Sequence, residues 1–133
     1  MRFLLDTDIC IYVINERPKK VLAHFLRQTA GAIGVSSISV AELSFGAAKS
    51  GSARNQAALE AFLLPLQICE FDAAAAQHYG VIRAKLEKAG KPVGPLDLLI
   101  AAHALSLDIT LVTNNTREFA RIAGLTVENW ARD

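Results

Sequence analysis

The sequence lacks the residue groups that build zinc or disulfide centres. It has two cysteines, Cys10 and Cys69, each within an apolar segment and neither part of a CxxC or of a cysteine–histidine pair at metal-binding spacing. Structural zinc sites and redox motifs depend on such spacing. We therefore expect both cysteines to be buried, reduced thiols.

Long apolar runs are absent as well. No stretch approaches the roughly 20 apolar residues that cross a bilayer, and the first residues lack the basic, apolar and small-residue order of a signal peptide. We expect a cytoplasmic protein with no membrane partner. Apolar residues nevertheless make up 52% of the chain and charged residues only 20%, which suggests that a partner covers part of the surface.

The chain has little net charge, +1 at pH 7, and this value neither supports nor excludes a nucleic-acid partner. A local basic patch matters more for phosphate binding than the total charge. Two such groups are present, at residues 17–20 and 83–91. Each is equally well explained as the solvated face of a helix.

Short apolar segments alternate with helical patterns along the whole chain, without a linker, repeat or low-complexity stretch. This alternation predicts one domain over residues 1–133 of the α/β class, with a mainly parallel central sheet between two helical layers (α/β/α). The predicted strands are 2–5, 32–37, 67–71 and 108–113, and the predicted helices are 7–16, 18–29, 39–50, 56–66, 72–90 and 95–107.

Acidic and amide side chains follow the predicted strands. Asp6 comes directly after the first strand, Glu42 lies shortly after the second, and Asn115 and Glu118 follow the last. Ligands of parallel sheets gather beyond the carboxyl ends of the strands. We therefore expect these side chains, with Asp97 at the start of a helix, to converge.

Each acid also has a simpler explanation. Asp6 or Thr7 can be only the N-cap of the following helix, and Ser39 with Glu42 fits the S-x-x-E capping box. Asp97 can stabilise the first turn of its helix through the helix dipole. Glu118 can be an ordinary surface residue.

Considered together, the acids indicate a cation. Carboxylates a few ångströms apart repel each other by several kcal/mol near a protein surface, so an uncompensated cluster would raise their pKa values or loosen the fold. Oxygen ligands without histidine or cysteine favour hard ions such as Mg²⁺ or Mn²⁺. Such an ion can activate water for attack on a phosphodiester.

Four segments in order along the chain resemble the motifs of PIN-domain ribonucleases, and most closely those of VapC toxins: MRFLLDTDICI, SSISVAELSFGAAKS, GKPVGPLDLLIAAHAL and LVTNNTREFARIAGLTVENW. The likeness extends over essentially the whole chain. It implies a PIN-like fold and a Mg²⁺-dependent endoribonuclease that cuts structured RNA, with tRNA as the leading candidate. It also implies inhibition by a VapB-type antitoxin and a homodimer.

The resemblance assigns roles to particular residues. Asp6, Glu42 and Asp97 match the family's acidic positions and would be the metal ligands, directly or through water. The fourth acidic position is ambiguous. Asn115 and Glu118 stand where relatives often have acids, so the site is expected to contain three acids and an amide, with Glu118 farther from the metal.

Three further positions lie within these motifs: one has an expected contact, and two depart from the usual residues of the family. Thr113 is expected to hydrogen-bond a ligand residue. Asp8 stands where many relatives have asparagine, and it adds negative charge near the site. Leu96 stands where many relatives have a polar or aromatic residue, and we have no interpretation of that difference.

Other readings of the sequence predict different functions. In one alternative, the acids do no more than cap helices, and the protein is a non-catalytic toxin–antitoxin binding module. In another, the DTD of residues 6–8 belongs to an aspartate-nucleophile phosphatase, which would also need a downstream lysine and a paired acid. A metal-free ribonuclease would need two of His24, His78 and His103 around one phosphate.

Several residues are expected to serve packing alone. His103 is expected to be a hydrogen-bonded core residue, and Trp130 to seal the core near the end of the chain. Phe45 and Gly46 are expected to pack, with Gly46 allowing another helix to approach closely.

Overall fold

The computed structural model describes residues 1–132. Its strands are β1 Phe3–Leu5, β2 Ile33–Ser36, β3 Gln67–Cys69, β4 Thr110–Val112 and β5 Val127–Glu128. Its helices are α1 Thr7–Asn15, α2 Lys19–Leu26, α3 Ser37–Ser50, α4 Ala53–Leu63, α5 Ala73–Lys88, α6 Pro95–Leu107 and α7 Thr116–Phe119. The predicted alternation of strands and helices is confirmed, and β5 was not predicted.

The five strands form one sheet in the order β3-β2-β1-β4-β5, and every neighbouring pair is parallel. In the middle of the sheet, Leu5 of β1 lies opposite Val35 of β2 and Val112 of β4. The polar residues that follow these strands therefore leave the sheet at the same edge. The mainly parallel sheet of the prediction is an entirely parallel one.

Two hydrophobic clusters cover the two faces of the sheet. Phe3 and Leu5 belong to one cluster and Leu4, between them, belongs to the other, because successive side chains of a strand point to opposite faces. Helices pack on both faces, so the predicted α/β/α layers are confirmed. Trp130 is 2% exposed and lies in the first cluster, edge-on to Phe3, as expected.

Sequence-encoded caps set the ends of the helices near the functional edge. Helix α6 begins at Pro95, which suits a first helical turn because it lacks an N–H. At its far end, after Leu107, the C-cap Asp108 has a left-handed φ of 55°. Helix α3 begins at Ser37, two residues before the predicted start, because Ser36 caps it by accepting a hydrogen bond from the Ile38 N–H at 3.1 Å.

Two packing expectations were wrong. Phe45 is 66% exposed, and a side chain added at Gly46 would meet no atom within 4 Å. The two residues lie side by side on α3, on a part of the helix that no element of the described chain covers closely. Both cysteines are buried free thiols, as expected. In residues 1–132, none of the helices combines the length and the apolar character needed to cross a membrane.

Candidate active site

Asp6 lies at the point where β1 ends between β2 and β4. Its backbone N–H donates to the Val112 carbonyl at 2.8 Å, which extends the pairing of β1 with β4 by one residue. Its side chain accepts from the Thr7 N–H at 2.8 Å and from the Thr113 hydroxyl at 2.7 Å. Asp6 is therefore an N-cap of α1, as the simpler explanation proposed, but it is also only 4% exposed and bound to the end of β4.

Glu42 reaches the same edge from α3. The Thr7 hydroxyl donates to its Oε1 at 2.8 Å and lies 3.0 Å from the Ser39 hydroxyl oxygen. The capping-box interpretation of Ser39 and Glu42 is wrong, because Ser36 caps the helix and Ser39 lies inside it. Thr7 thus joins the two acids: its N–H binds Asp6 and its hydroxyl binds Glu42.

Asp97 and Glu118 form the other side of the site. Asp97 is in the first turn of α6, as predicted, and forms a side-chain hydrogen bond with Glu118. Glu118 accepts from the Gly94 N–H at 2.7 Å and from the Asn115 side-chain amide at 2.6 Å. Glu118 therefore fastens α7 to the start of α6 and is not an ordinary surface residue.

The protonation equilibria show how crowded with negative charge this edge is. Burial, followed by repulsion from Asp8, raises the pKa of Asp6 from 3.8 to about 6. Burial, the hydrogen bond to Glu118 and the charges of Asp6, Glu118 and Glu42 raise the pKa of Asp97 to about 7. The Gly94 N–H lowers the pKa of Glu118, so the proton shared between the two carboxyls belongs to Asp97.

Asp8 adds to this charge, as expected, and it also holds the loop after β4. Its Oδ2 accepts from the Asn114 N–H at 3.1 Å, whereas its Oδ1 is buried and accepts no hydrogen bond from the described residues. The Asn114 side chain donates to the Tyr12 hydroxyl at 3.2 Å and accepts from Asn129 at 3.1 Å. The loop that leads to Asn115 is therefore anchored to α1 and to the C-terminal segment.

The structure brings all five predicted site residues, Asp6, Glu42, Asp97, Asn115 and Glu118, to one edge of the sheet. Asp6 and Asp97 each repel Glu42, and Asp97 is also acted on by Asp6. Within residues 1–132, however, no three acidic, histidine or cysteine side chains are already arranged around a common point as a metal-binding group. Glu42 is held by Thr7 and Glu118 by Gly94.

Two contributors to the site were missed by the sequence prediction. Thr7 stands between the two aspartates of DTD. Its place beside Asp6 was the one sequence signal that it could hydrogen-bond the acids of the site. Gly94 could not be found in this way, because its contribution is a backbone N–H. The predicted hydrogen bond of Thr113 is present, and its acceptor is Asp6, one of the candidate ligands.

The histidines do not form an alternative site. His103 is 1% exposed and hydrogen-bonded to Ser36, as expected of a core residue. His24 stacks on Trp130, and His78 lies on the exposed side of α5, where it contacts the Ala74 carbonyl.

The chain matches the PIN domain family over residues 3–125. This range includes the five predicted site residues, from Asp6 to Glu118. The chain belongs to the PIN-domain family. Its relatives identify the branch of this family to which it is similar. The tRNA(fMet)-specific endonuclease VapC of Shigella flexneri is 46% identical over 132 residues, which are 98% of this chain and 99% of the relative. Ribonuclease VapC2 of Haemophilus influenzae is 49% identical over 131 residues, which are 98% of each chain.

Solved structures of this family have the same fold. The VapC chain of the DNA-bound VapBC complex of Salmonella typhimurium superposes with a TM-score of 0.90 at 43% identity and covers 98% of both chains. VapBC2 of Rickettsia felis, bound to a DNA fragment from its promoter, gives a TM-score of 0.88 at 41% identity, with 98% of this chain and 99% of that one covered. Within the PIN-domain family, the chain therefore belongs to the VapC ribonucleases.

Proposed function

We propose that the protein is a metal-dependent endoribonuclease toxin that cleaves structured RNA and is inhibited by a VapB-type antitoxin. One observation carries the chemistry: acids from β1, α3 and α6 meet at one edge of the sheet, and the charged groups that raise the pKa values of Asp6 and Asp97 are all acids. The VapC relatives support RNA as the substrate. The name of the Shigella relative makes tRNA the leading candidate.

The residues fit a hard divalent ion. The candidate ligands Asp6, Glu42 and Asp97 offer only oxygen atoms, which Mg²⁺ and Mn²⁺ prefer. The buried, unpaired Oδ1 of Asp8 and the raised pKa values of Asp6 and Asp97 show negative charge that the described residues leave uncompensated. An ion bound there would supply that compensation, activate a water molecule and stabilise the leaving oxygen.

The protein's own residues hold and orient this set. Thr7 and Thr113 fix the carboxylates of Glu42 and Asp6 by donating hydroxyl protons. Asp97 would be a further ligand, and a cation bound there would favour its charged form over the protonated form that its raised pKa and its hydrogen bond to Glu118 now favour. Asn115 donates its side-chain amide to Glu118, and Glu118 accepts from the Gly94 N–H before α6, which supports a positioning role for both residues at the fourth position.

Cleavage of purified tRNA tests this function. We expect the wild type to cut with Mg²⁺ or Mn²⁺ and to stop in EDTA, and Asp6→Asn to be inactive while remaining folded. Asp108→Asn is the matched control, because it removes an acid at the far end of α6 and asparagine tolerates its left-handed backbone. Products with 5′-phosphate and 3′-hydroxyl ends would show attack by water. Undiminished cutting by Asp6→Asn in EDTA would refute the proposal.

The antitoxin site is proposed to be the groove between α1, α3 and α4. Its volume is about 750 Å³. It is lined by the apolar side chains of Ile11, Ile14 and Leu59, by polar ones that include Asn15, Arg54 and Asn55, and by Thr7 and Glu42 of the site. An apolar antitoxin segment can bind there and bring a basic side chain to the carboxylates, where it would compete with the metal. Ile11 is 44% exposed and is available to such a segment.

Substitution in the groove tests this assignment. Ile11→Glu is expected to weaken antitoxin binding at least about tenfold, since it places a charge where apolar surface is buried, and to leave Mg²⁺-dependent cleavage by the free protein intact. Calorimetric titration with the antitoxin measures the first effect. Unchanged affinity would place the antitoxin elsewhere.

Light scattering of the free protein tests the proposed homodimer.

A further inference from the structure

One buried polar pair takes no part in the site described so far. His103 of α6 is 1% exposed, and Ser36 at the end of β2 is fully buried. The His103 Nδ1 and the Ser36 Oγ are 2.8 Å apart. Buried polar side chains lower stability unless they are hydrogen-bonded, so each of these residues depends on the other.

The direction of this hydrogen bond follows from its surroundings. The Ser36 Oγ accepts from the Ile38 N–H as the N-cap of α3, and its own proton remains available for donation. Burial lowers the pKa of His103 and outweighs the charge of Asp72 and the hydrogen bond to the Glu70 backbone, which act in the opposite direction. The ring is therefore neutral, with Nδ1 as the acceptor of the Ser36 hydroxyl.

The pair joins the two helices that carry Glu42 and Asp97. Ser36 caps α3, which bears Glu42, and His103 lies on α6, which bears Asp97 in its first turn. The neighbouring ring of Phe71 packs edge-on against His103 at 5.5 Å. The Phe71 N–H donates to the hydroxyl of Ser37, the first residue of α3, at 3.1 Å. The imidazole is thus bound directly to the N-cap of α3 and contacts Phe71, which is itself hydrogen-bonded to the first residue of α3.

We propose that His103 and Ser36 are positioning residues, whose hydrogen bond sets the distance between Glu42 and Asp97 and so the metal affinity of the site. The inference rests on the proposed function. Glu42 and Asp97 lie on separate helices, and neither forms a hydrogen bond to the other. Their spacing therefore depends on how α3 and α6 are fixed to each other, and this buried bond is a direct polar link between the two elements.

Binding of Mn²⁺ alone, measured by calorimetry or by electron paramagnetic resonance, tests the proposal without any need for activity. We expect His103→Leu, which fills the space but accepts no hydrogen bond, to weaken Mn²⁺ binding by about tenfold, the lower end of the effect of outer-shell partners. His103→Asn places an acceptor oxygen near the position of Nδ1. It should bind within about threefold of the wild type, a partial rescue on the same scale.

Ser52→Ala is the matched control. It removes the N-cap of α4, the Ser52 hydroxyl that accepts from the Asn55 N–H at 3.2 Å. Helix α4 carries none of the five predicted site residues. We expect lower stability and unchanged Mn²⁺ affinity. If His103→Leu fails to fold, His103→Met, whose flexible apolar side chain adapts to the space and leaves the Ser36 cap intact, replaces it. A loss of Mn²⁺ affinity in that variant supports the proposal, and unchanged affinity overturns it.

Each outcome separates the inference from the function on which it rests. Wild-type affinity in His103→Leu, or an equal loss in Ser52→Ala, would overturn the positioning role while leaving the metal site intact. Absence of Mn²⁺ binding by the wild type would instead overturn the proposed metal site itself. Cleavage by His103→Leu should recover at high Mn²⁺ concentration, because the ligands themselves are unchanged.

Discussion

Replacing Asp6 by asparagine should stabilise the metal-free protein at high pH and destabilise it slightly at low pH. The pKa of Asp6 is raised from 3.8 to about 6 in the folded state. The stabilisation that this shift represents is complete below pH 3.8 and is lost as the pH rises through about 6. Asparagine has no such dependence, so the difference between wild type and variant must change with pH.

The magnitude follows from the shift. A rise from 3.8 to about 6 corresponds to about 3 kcal/mol of unfavourable free energy in the charged form, and Asp6 is buried enough for little of this to be screened. Asparagine can still accept from the Thr7 N–H, but it loses the hydroxyl of Thr113 as a donor, which lowers stability by about 1 kcal/mol. The variant should therefore be about 2 kcal/mol more stable than the wild type at pH 8, and about 1 kcal/mol less stable near pH 4.

Urea unfolding in EDTA at pH 4, 6 and 8 measures these differences at one protein concentration. The single tryptophan, Trp130, is buried and reports on the core, and circular dichroism provides a second probe. Asp108→Asn shows whether any loss of an acid has the same effect. If Asp6→Asn is not more stable than the wild type at pH 8, the site does not hold uncompensated charge, and the case for a cation weakens with it.

Three further predictions follow from the same structure. Mg²⁺ should raise the thermal unfolding midpoint of the wild type more at pH 8 than at pH 5, because Asp6 and Asp97 carry protons at the lower pH; an equal rise at both values would contradict this. Glu118→Gln should shift the pH dependence of Mn²⁺ binding to lower pH, since Glu118 raises the pKa of Asp97, and a profile identical to that of the wild type would show that the shared proton does not control binding. Trp130→Ala should lower the free energy of unfolding by about 3–5 kcal/mol, as expected for a large buried aromatic, and a loss below 1 kcal/mol by circular dichroism would mean that Trp130 does not seal the core.

The sequence was sufficient to predict those parts of the fold that depend on local pattern. The short apolar runs around Leu4, Val35 and Leu111 predict buried strands, and their alternation with helices predicts mainly parallel pairing. Strand β5 was missed because it has two residues, Val127–Glu128, and acquires its identity only by pairing with β4. Its pattern is too short to differ from that of a loop.

Positions of the site residues were predictable, but their contacts were not. Glu42 was placed at the correct edge, yet its local context suggested a capping box that does not exist. Its actual partner, Thr7, is 35 positions away in the sequence. The hydrogen bonds of Glu118 to Gly94 and Asn115 are likewise set by the packing of α7 on the start of α6. Such contacts depend on tertiary structure and leave no periodic signal.

The order of the strands determines when the site can exist during synthesis. Asp6 is made well before the strand β4 that pairs with β1, and Thr113, which binds the Asp6 carboxylate, follows it by 107 positions. A nascent chain that has not yet released β4 from the ribosome holds Asp6 without this partner and without Glu118. The candidate site therefore stays incomplete until β4 and the residues that follow it have left the ribosome.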